Sequence, residues 1–176
     1  ENEIKRGFTL PKKPTEDLAE EVGLHIGDGT MNFYLQKTGY NGSYALRGHL
    51  MDDRQHYETR IKKLYKTIFN LNLPLREMKS TGVFGFQIWS NSLVIFKHRL
   101  GLCLGKKLDI DLPRFILKNE LYVRRAIKGI FDTDGTIYFE HKNNKLYPRI
   151  IIGTISQRLG LRLQKLISKN GMNATM

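Results

Sequence analysis

The chain has 176 residues, enough for one domain or for two small fused units of about 90 residues each. Its 29 Lys and Arg residues outnumber its 17 Asp and Glu residues, which gives a formal net charge of +12. This excess favours a polyanionic partner such as nucleic acid. A membrane partner is disfavoured, because no basic helix in the sequence also carries an exposed apolar face. The sequence also has no apolar run of about 18 residues, and its N-terminus, ENEIKR, lacks an apolar signal segment. A single cysteine, Cys103, excludes an internal disulfide and a cysteine-based zinc site. With no targeting signal visible, the expected location is cytoplasmic.

The N-terminal residues 1–15 are predicted to be an extension, since Pro11 and Pro14 favour an extended backbone. Thr15 is a suitable N-cap, and a helix is predicted from Glu16 to about Gly27. Within that helix, His25 is expected to be a packed side chain rather than a ligand.

The next residues alternate between apolar and polar side chains, which predicts a strand with two different faces. Met31, Phe33 and Leu35 should point inward. A turn is predicted at Gly39 to Gly42, and a second strand follows over residues 43–50 with Arg47 and His49 facing outward.

The first unit is then completed by further elements. A helix is predicted to run to about Asn70, with Asp52 or Asp53 as its cap. Strands are predicted over residues 75–79 and 83–89, with Trp89 packing at the sheet end, and a last helix runs to about residue 100. The order is therefore α-β-β-α-β-β-α.

A connecting segment follows, and the pattern restarts near Asn119. The prediction is a helix to Thr133, strands over 136–140 and 147–155 joined by a turn at Asn143 and Asn144, and a helix over 157–170. The elements that would match the last two strands and helix of the first unit are missing. The second unit is therefore expected to be incomplete, with the natural protein continuing beyond it.

Two stretches of the chain repeat one unusual pattern. Residues 22–30, VGLHIGDGT, recur 106 positions later as KGIFDTDGT, and each copy is a helical run that ends in Asp-Gly before a strand. Gly23 and Gly27 lie on one helix face, where small residues let another backbone approach closely. Two such helices would place Asp28 and Asp134 side by side, where paired carboxylates suit divalent cations.

These two motifs, LAEEVGLHIGDG and AIKGIFDTDG, resemble those of the LAGLIDADG homing endonucleases. The segment GLCLGKK followed by IDLP resembles the linker of archaeal-type members with two motifs. The resemblance covers residues 16–176. It implies an α+β fold of two pseudo-symmetric units with antiparallel sheets. The units would be residues 16–101 and 119–176, joined by a linker over residues 102–118.

The resemblance also implies a site-specific endonuclease that cleaves both strands of double-stranded DNA for intron or intein homing. It implies a monomer and a long, near-palindromic target. Asp28 and Asp134 match the catalytic metal-binding carboxylates, assisted by the carbonyl groups of Gly27 and Thr133. Mg²⁺ is the expected cofactor, with Mn²⁺ as a substitute and Ca²⁺ as a non-productive ion. The helix interface would be formed by Gly23, Gly27, Gly129 and Thr133.

In this family the outward side chains of the sheets bind DNA, through base edges or through phosphates. The corresponding residues here are Thr30, Asn32, Tyr34, Gln36, Lys37, Arg47, His49, Gln87, Thr136, Tyr138, Glu140, Lys142 and Arg149.

Other functions stay open at this point. The same scaffold serves non-cleaving nucleic-acid-binding proteins, namely RNA splicing maturases and transcription factors. Family members often carry a basic residue just after the fourth strand, but this chain has Ser90, Asn91 and Ser92 there. Asp132, although in the second motif, is expected to be a helix-face residue without a catalytic role. An unrelated basic α+β enzyme is disfavoured, because the sequence shows no catalytic triad spacing, phosphate loop or zinc pattern.

Overall fold

A computed structural model describes residues 7–37 and 39–176, so part of the expected N-terminal extension lies outside the described residues. The elements in chain order are α1 (Glu16–Asp28), β1 (Gly29–Gln36), β2 (Gly39–His49), α2 (Arg54–His56), a π-helical segment (Tyr57–Ile61), α3 (Lys62–Phe69), β3 (Arg76–Met78), a 3-10 turn (Lys79–Thr81), β4 (Val83–Trp89), α4 (Asn91–Arg99), α5 (Arg114–Leu117), α6 (Glu120–Asp134), β5 (Gly135–Lys142), β6 (Lys145–Ile152) and α7 (Gln157–Lys169).

The strands form two antiparallel sheets, one with the order β1-β2-β4-β3 and one made of β5 and β6. The predicted α+β class with antiparallel sheets is therefore confirmed. The element order of the first unit also agrees with the sequence pattern.

Side-chain caps fix the starts of the two long central helices. The hydroxyl of Thr15 accepts a hydrogen bond from the Leu18 amide at 3.1 Å, and the side-chain Oδ1 of Asn119 accepts one from the Leu121 amide at 2.9 Å. Asp53 occupies an N-cap position, but its carboxylate accepts from the amide of His49 instead of capping α2. Asp53 is therefore the N-cap residue, as one of the two predicted candidates, but its side chain does not cap the helix.

Two strand boundaries differ from the predictions. Pairing between β1 and β2 continues until Gln36 lies opposite Gly39, so residues 39–42 belong to β2 and not to a turn. The hairpin of the second sheet turns at Asn143 and Asn144, as predicted, and both have left-handed backbone angles. Its second strand ends at Ile152, three residues earlier than expected.

The main core lies between α1, the inner face of the four-stranded sheet and helices α3 and α4. Large side chains there, including Tyr44, Tyr65 and Phe86, are fully buried. Leu35 was predicted to point inward but is 73% exposed, because it lies near the far end of the β1–β2 hairpin, opposite Tyr40, which is itself exposed.

The connecting segment is packed against the rest of the fold. Ile110, Leu112 and Ile116 are buried, and the carboxylate of Asp111 accepts from the guanidinium of Arg162 on α7 at 2.8 Å. This packing gives the segment a defined path across the molecule. Within the described part of the chain, no helix has both the length and the apolar character that crossing a membrane requires.

Candidate metal centre and nucleic-acid interface

The two motif helices, α1 and α6, pack directly against each other. A Cβ atom added at Gly23 would overlap the carbonyl oxygen of Ala126, and one added at Gly129 would overlap the carbonyl oxygen of Glu20. The backbones therefore meet with no room for a side chain between them. This contact places the two motif ends together.

A second close approach lies one turn further along the same helices. A Cβ atom at Gly27 would overlap the hydroxyl of Thr133 and would lie 3.2 Å from Oδ2 of Asp134. The Thr133 hydroxyl donates to the Ile130 carbonyl at 2.9 Å, which holds it along its own helix. The carboxylate of Asp134 is thereby located beside the end of α1.

Both helices end at an aspartate and turn sharply into a strand. Asp28 is the last residue of α1 and Asp134 the last residue of α6. A Cβ at the following residue, Gly29 or Gly135, would overlap the residue four positions earlier. Glycine is needed at these positions because the chain must fold back close to its own helix. The Asp-Gly pairs therefore set two carboxylates at the foot of the packed helices.

The electrostatics show that the two carboxylates share one site. The pKa of Asp28 is raised to about 6, mainly by burial and also by the negative charges of Asp134 and Asp53. The pKa of Asp134 is also raised by burial, and Lys107 opposes that rise. Because the two carboxylates interact, they titrate as a pair rather than as independent groups. Negative charge here is only partly compensated.

The compensating cation comes from the connecting segment and was missed by the sequence analysis. The ammonium of Lys107 donates to the carbonyl of Ile26 at 2.8 Å, to that of His25 at 3.3 Å and to that of Gly27. Burial lowers the pKa of Lys107, and Asp134 and Asp28 raise it. The signal for this residue was the Lys106-Lys107 pair in the linker, but only the folded path shows which lysine turns inward.

These groups fit a divalent cation. The donors that converge are carboxylate oxygens of Asp28 and Asp134 and the Gly27 carbonyl, all hard oxygen ligands, and a positive group already binds that carbonyl. Among the residues that the structure describes, no cluster of three or more His, Cys, Asp or Glu side chains could hold a metal. A site with two carboxylates suits Mg²⁺, which keeps several waters and uses few protein ligands.

The interface between the halves is reinforced by a buried carboxylate on α1. Glu20 is fully buried and accepts from Arg60 at 2.8 Å and from Lys128 of α6 at 3.1 Å. Lys128 also pairs with Asp132, so Asp132 lies in this network at the side of the interface. The expectation that Asp132 is a helix-face residue agrees with this placement.

The predicted DNA-binding residues of the first unit lie on the exposed face of the four-stranded sheet. Arg47 donates to Gln87 at 2.9 Å, and Gln87 donates to Ser43 at 2.8 Å, so these side chains are held in a row. The other predicted residues on these strands and at the hairpin end are exposed as well: Thr30, Asn32, Tyr34, Gln36, Lys37 and His49.

The predicted residues of the second unit lie on the β5–β6 hairpin. Glu140 and Arg149 form an ion pair with Nε 2.7 Å from the carboxylate, so the single negative charge on this face is paired. The remaining ones, Thr136, Tyr138 and Lys142, are exposed. These side chains are thus accessible at the protein surface, and their role in binding DNA stays a prediction.

Trp89 was expected to pack at the end of the sheet, and this expectation is wrong. Its side chain is 47% exposed and lies edge-on to Tyr34, with ring centroids 5.9 Å apart. Because Tyr34 belongs to the predicted DNA-binding set, Trp89 adds an aromatic group to the same face. Strand alternation from Gln87 could have indicated this position.

The raised pKa of Asp28 leads to a stability prediction. The folded-state pKa of about 6 exceeds the usual 3.8, so ionisation of Asp28 destabilises the folded state, increasingly as pH rises from about 4 to 6. In EDTA at pH 7.5, Asp28→Asn is expected to raise the free energy of unfolding by up to about 3 kcal/mol. The gain should shrink below about 1 kcal/mol at pH 4. Urea unfolding at both pH values measures it. Asp132→Asn loses an ion pair instead, so it should not raise the free energy of unfolding. An equal gain for Asp28→Asn at both pH values would contradict the raised pKa of Asp28.

Comparison with solved structures identifies the fold. The chain superposes on a structure of mesophilic variants of the homing endonuclease I-DmoI with a TM-score of 0.64, at 16% identity, covering 91% of this chain and 79% of the other. It is equally similar to I-DmoI in complex with DNA and Ca, with a TM-score of 0.63 and 18% identity, covering 91% and 74%. For I-DmoI in complex with DNA and Mn, the values are 0.62 and 17%, covering 91% and 80%. The chain therefore has the homing endonuclease fold.

Comparison by sequence gives less information about the chain than the structural comparison. No family model matches the chain. It is 29% identical over 169 residues to the isomerizing glutamine–fructose-6-phosphate aminotransferase of Methanocaldococcus jannaschii. That match covers 94% of this chain but only 14% of the aminotransferase, so the chain spans a small part of the longer protein.

Proposed function

We propose that this chain is the DNA-cleaving part of a LAGLIDADG homing endonuclease of the two-motif type. It hydrolyses one phosphodiester bond on each strand of a long, near-palindromic duplex and depends on a divalent metal, Mg²⁺ in the cell. The observation that carries this proposal is the pair Asp28 and Asp134, which two closely packed helices bring to one partly buried site. The homing endonuclease fold and the DNA-bound, metal-containing structures of I-DmoI support it.

The residues around the proposed site would have different chemical roles. Asp28, Asp134 and the Gly27 carbonyl would hold the cation, which when bound would activate water and stabilise the leaving oxygen. Lys107 brings a positive charge to the same place, where it would attract and orient a phosphate group. Partial burial strengthens each of these interactions, because the surrounding dielectric is lower than that of water.

The exposed faces of the two sheets supply binding and specificity. Arg47, held by Gln87, is suited to pair with a guanine edge in the major groove. Asn32 offers an amide for an adenine edge, and the exposed lysines contribute phosphate contacts. The net charge of +12 adds an affinity that falls as salt concentration rises.

The similarity to an aminotransferase bears on the origin of the chain. It spans nearly all of this fold but 14% of the enzyme, so it gives no support for aminotransferase chemistry here. Such a match fits an endonuclease domain carried inside an unrelated host protein, as in an intein. A reading frame that encodes host sequence on both sides of this chain would support that origin, and a free-standing frame would contradict it.

Cleavage of a duplex library tests the proposed function. The protein is incubated with randomised linear duplexes in Mg²⁺, and the cut ends are captured and sequenced. The expected result is one consensus with a short, fixed offset between the cuts on the two strands. Retained, salt-sensitive binding of duplex DNA without any cut ends, in Mg²⁺ or Mn²⁺, would instead favour a non-cleaving binder. Preferential binding of structured RNA would point to a maturase.

A further inference from the structure

The ammonium of Lys107 lies where three backbone carbonyls at the end of α1 converge. His25, Ile26 and Gly27 each accept a hydrogen bond from its Nζ. A lysine ammonium has three N–H donors, so this set can use all of them. The last carbonyls of a helix carry partial negative charge, which makes them a natural cation site, although the His25 carbonyl here also accepts from the Gly29 amide.

The position of this ammonium is imposed by the backbone. The Gly105 amide donates to the Met31 carbonyl at 2.9 Å, and Gly105 has a left-handed φ of +71°, which turns the connecting segment toward the helix ends. Lys106, the preceding residue, is exposed. One lysine of an adjacent pair is therefore directed into the centre and the other toward solvent.

The proposed function requires the Gly27 carbonyl as a cation ligand, and this carbonyl is already bound by Lys107. We propose that Lys107 is a built-in counter-ion that competes with the divalent cation for the end of α1. This inference rests on the proposed metal centre. A divalent ion at Asp28 and Asp134 would repel the ammonium and take one of its acceptors, so Lys107 would have to leave Gly27 as the ion binds.

The structure offers Lys107 a place to move to. It lines two adjoining cavities, one beside Gly27 and Asp134 and the other along the exposed sheet face with Thr30, Arg47 and Gln87. Withdrawal from the helix end would carry the ammonium toward the second cavity, on the face assigned to DNA. A DNA phosphate bound at the second cavity would stabilise the ammonium in this new position. Bound metal would therefore increase the affinity of the protein for DNA, and bound DNA its affinity for the metal, because each favours the same position of Lys107.

Calorimetric titration of the DNA-free protein with Ca²⁺ tests the competition without any cleavage. Lys107→Met removes the competitor and keeps the length of the side chain, so Ca²⁺ should bind about tenfold more tightly or better. Lys106→Met is the matched control, because it removes the same charge one residue away and should change affinity less than about twofold. Adding Asp134→Asn to Lys107→Met should remove the binding.

The outcomes separate this inference from the proposed function. Ca²⁺ binding that depends on Asp134 but is unchanged or weakened in Lys107→Met would overturn the competition and leave the metal centre intact. An equal gain in Lys106→Met would overturn it too, since the effect would then be one of net charge. Absence of Ca²⁺ binding in both the natural protein and Lys107→Met would reject the metal centre, and the competition with it.

A second measurement applies if Lys107→Met does not fold. In ¹⁵N NMR of the natural protein, an ammonium held by three carbonyls exchanges its protons slowly and gives a distinct signal. Titration with Ca²⁺ should remove that signal in the natural protein and leave it in the Asp28→Asn and Asp134→Asn double variant. A signal that persists at saturating Ca²⁺ in the natural protein would overturn the proposal.

Discussion

Replacement of either Asp28 or Asp134 by asparagine is expected to abolish DNA cleavage while most DNA affinity remains. Each carboxylate supplies charge to the partly buried centre between the motif helices, and an amide of the same shape cannot supply it. We expect the single-turnover cleavage rate in Mg²⁺ to fall by about a thousandfold or more, the scale on which removal of central electrostatic groups acts. The affinity comes from many contacts along the exposed sheet faces, which these substitutions do not touch.

Asp132 provides a control within the same motif. It lies two residues before Asp134 but pairs with Lys128 at the side of the helix interface. Asp132→Asn should therefore keep cleavage within about threefold of the natural protein, as expected for a partly exposed ion pair of small energetic value. The assay compares nicking of the cognate duplex in Mg²⁺ with a gel shift in EDTA. Cleavage by Asp28→Asn or Asp134→Asn at the natural rate would remove that residue from the metal centre.

The two variants also address the symmetry of the site. The environments of the two carboxylates differ, because the negative charge of Asp53 adds to the rise in the pKa of Asp28, whereas the pKa of Asp134 is raised by burial and lowered by Lys107. The loss of one carboxylate should therefore slow the two strand cuts unequally. Strand-specific end labels would report which half of the centre each aspartate serves.

Much of this centre could be predicted from the sequence because it is built from local signals. The Asp-Gly pairs, the small residues four positions apart and the alternating strand that follows are all short-range patterns. Each survives in the structure as a helix end, a close helix contact or a strand face, as at Gly23, Asp28 and Asn32. The repetition of the motif then indicated that the two helix–strand units should pack side by side.

Lys107 could not be found in the same way. Its role depends on the path of a connecting segment with no periodicity, and that path depends on long-range contacts such as the backbone hydrogen bond from Gly105 to a strand 74 residues earlier in the chain. The residue lies between Lys106 and Leu108, both exposed, so the surrounding sequence gives no sign of burial. Long-range placement of one side chain is the information that local patterns do not contain.

The consecutive residues Glu20 and Glu21 show a second limit of prediction from the sequence. Two charged residues on a helix usually face solvent, yet both of these are fully buried. Glu20 faces α6 and Arg60, whereas Glu21 faces the core, because adjacent helical residues point about 100° apart. Their burial depends on basic partners far away in the sequence.

The core partner of Glu21 is Lys97, and breaking this pair is expected to destabilise the protein strongly. Both side chains are fully buried, and the ammonium donates to the Glu21 carboxylate while it lies 4.4 Å from the centre of the Tyr44 ring. The hydroxyls of Tyr44 and Tyr65 donate to the same carboxylate oxygen. Burial lowers the pKa of Lys97, and Glu21 opposes this shift. The pair ties α4 to α1, less than two turns before Gly27.

Lys97→Met should lower the free energy of unfolding by about 3–5 kcal/mol, because it leaves a carboxylate buried without its counter-ion. Urea denaturation at pH 7 measures the loss. Lys66→Met, which removes an exposed lysine from α3, should change stability by less than about 0.5 kcal/mol. This control separates the effect of the buried pair from that of one lost positive charge.

The double replacement distinguishes an uncompensated charge from the net value of the pair. Glu21→Leu with Lys97→Met leaves the Tyr44 and Tyr65 hydroxyls, which lie 2.6 Å apart and can bond to each other. Because no unpaired charge then remains buried, the double variant should be more stable than Lys97→Met alone, by about 2 kcal/mol or more. Additive losses from the two single substitutions would show that neither side chain depends on the other. In that case, the position of α1, and with it that of Asp28, would rest on apolar packing rather than on this ion pair.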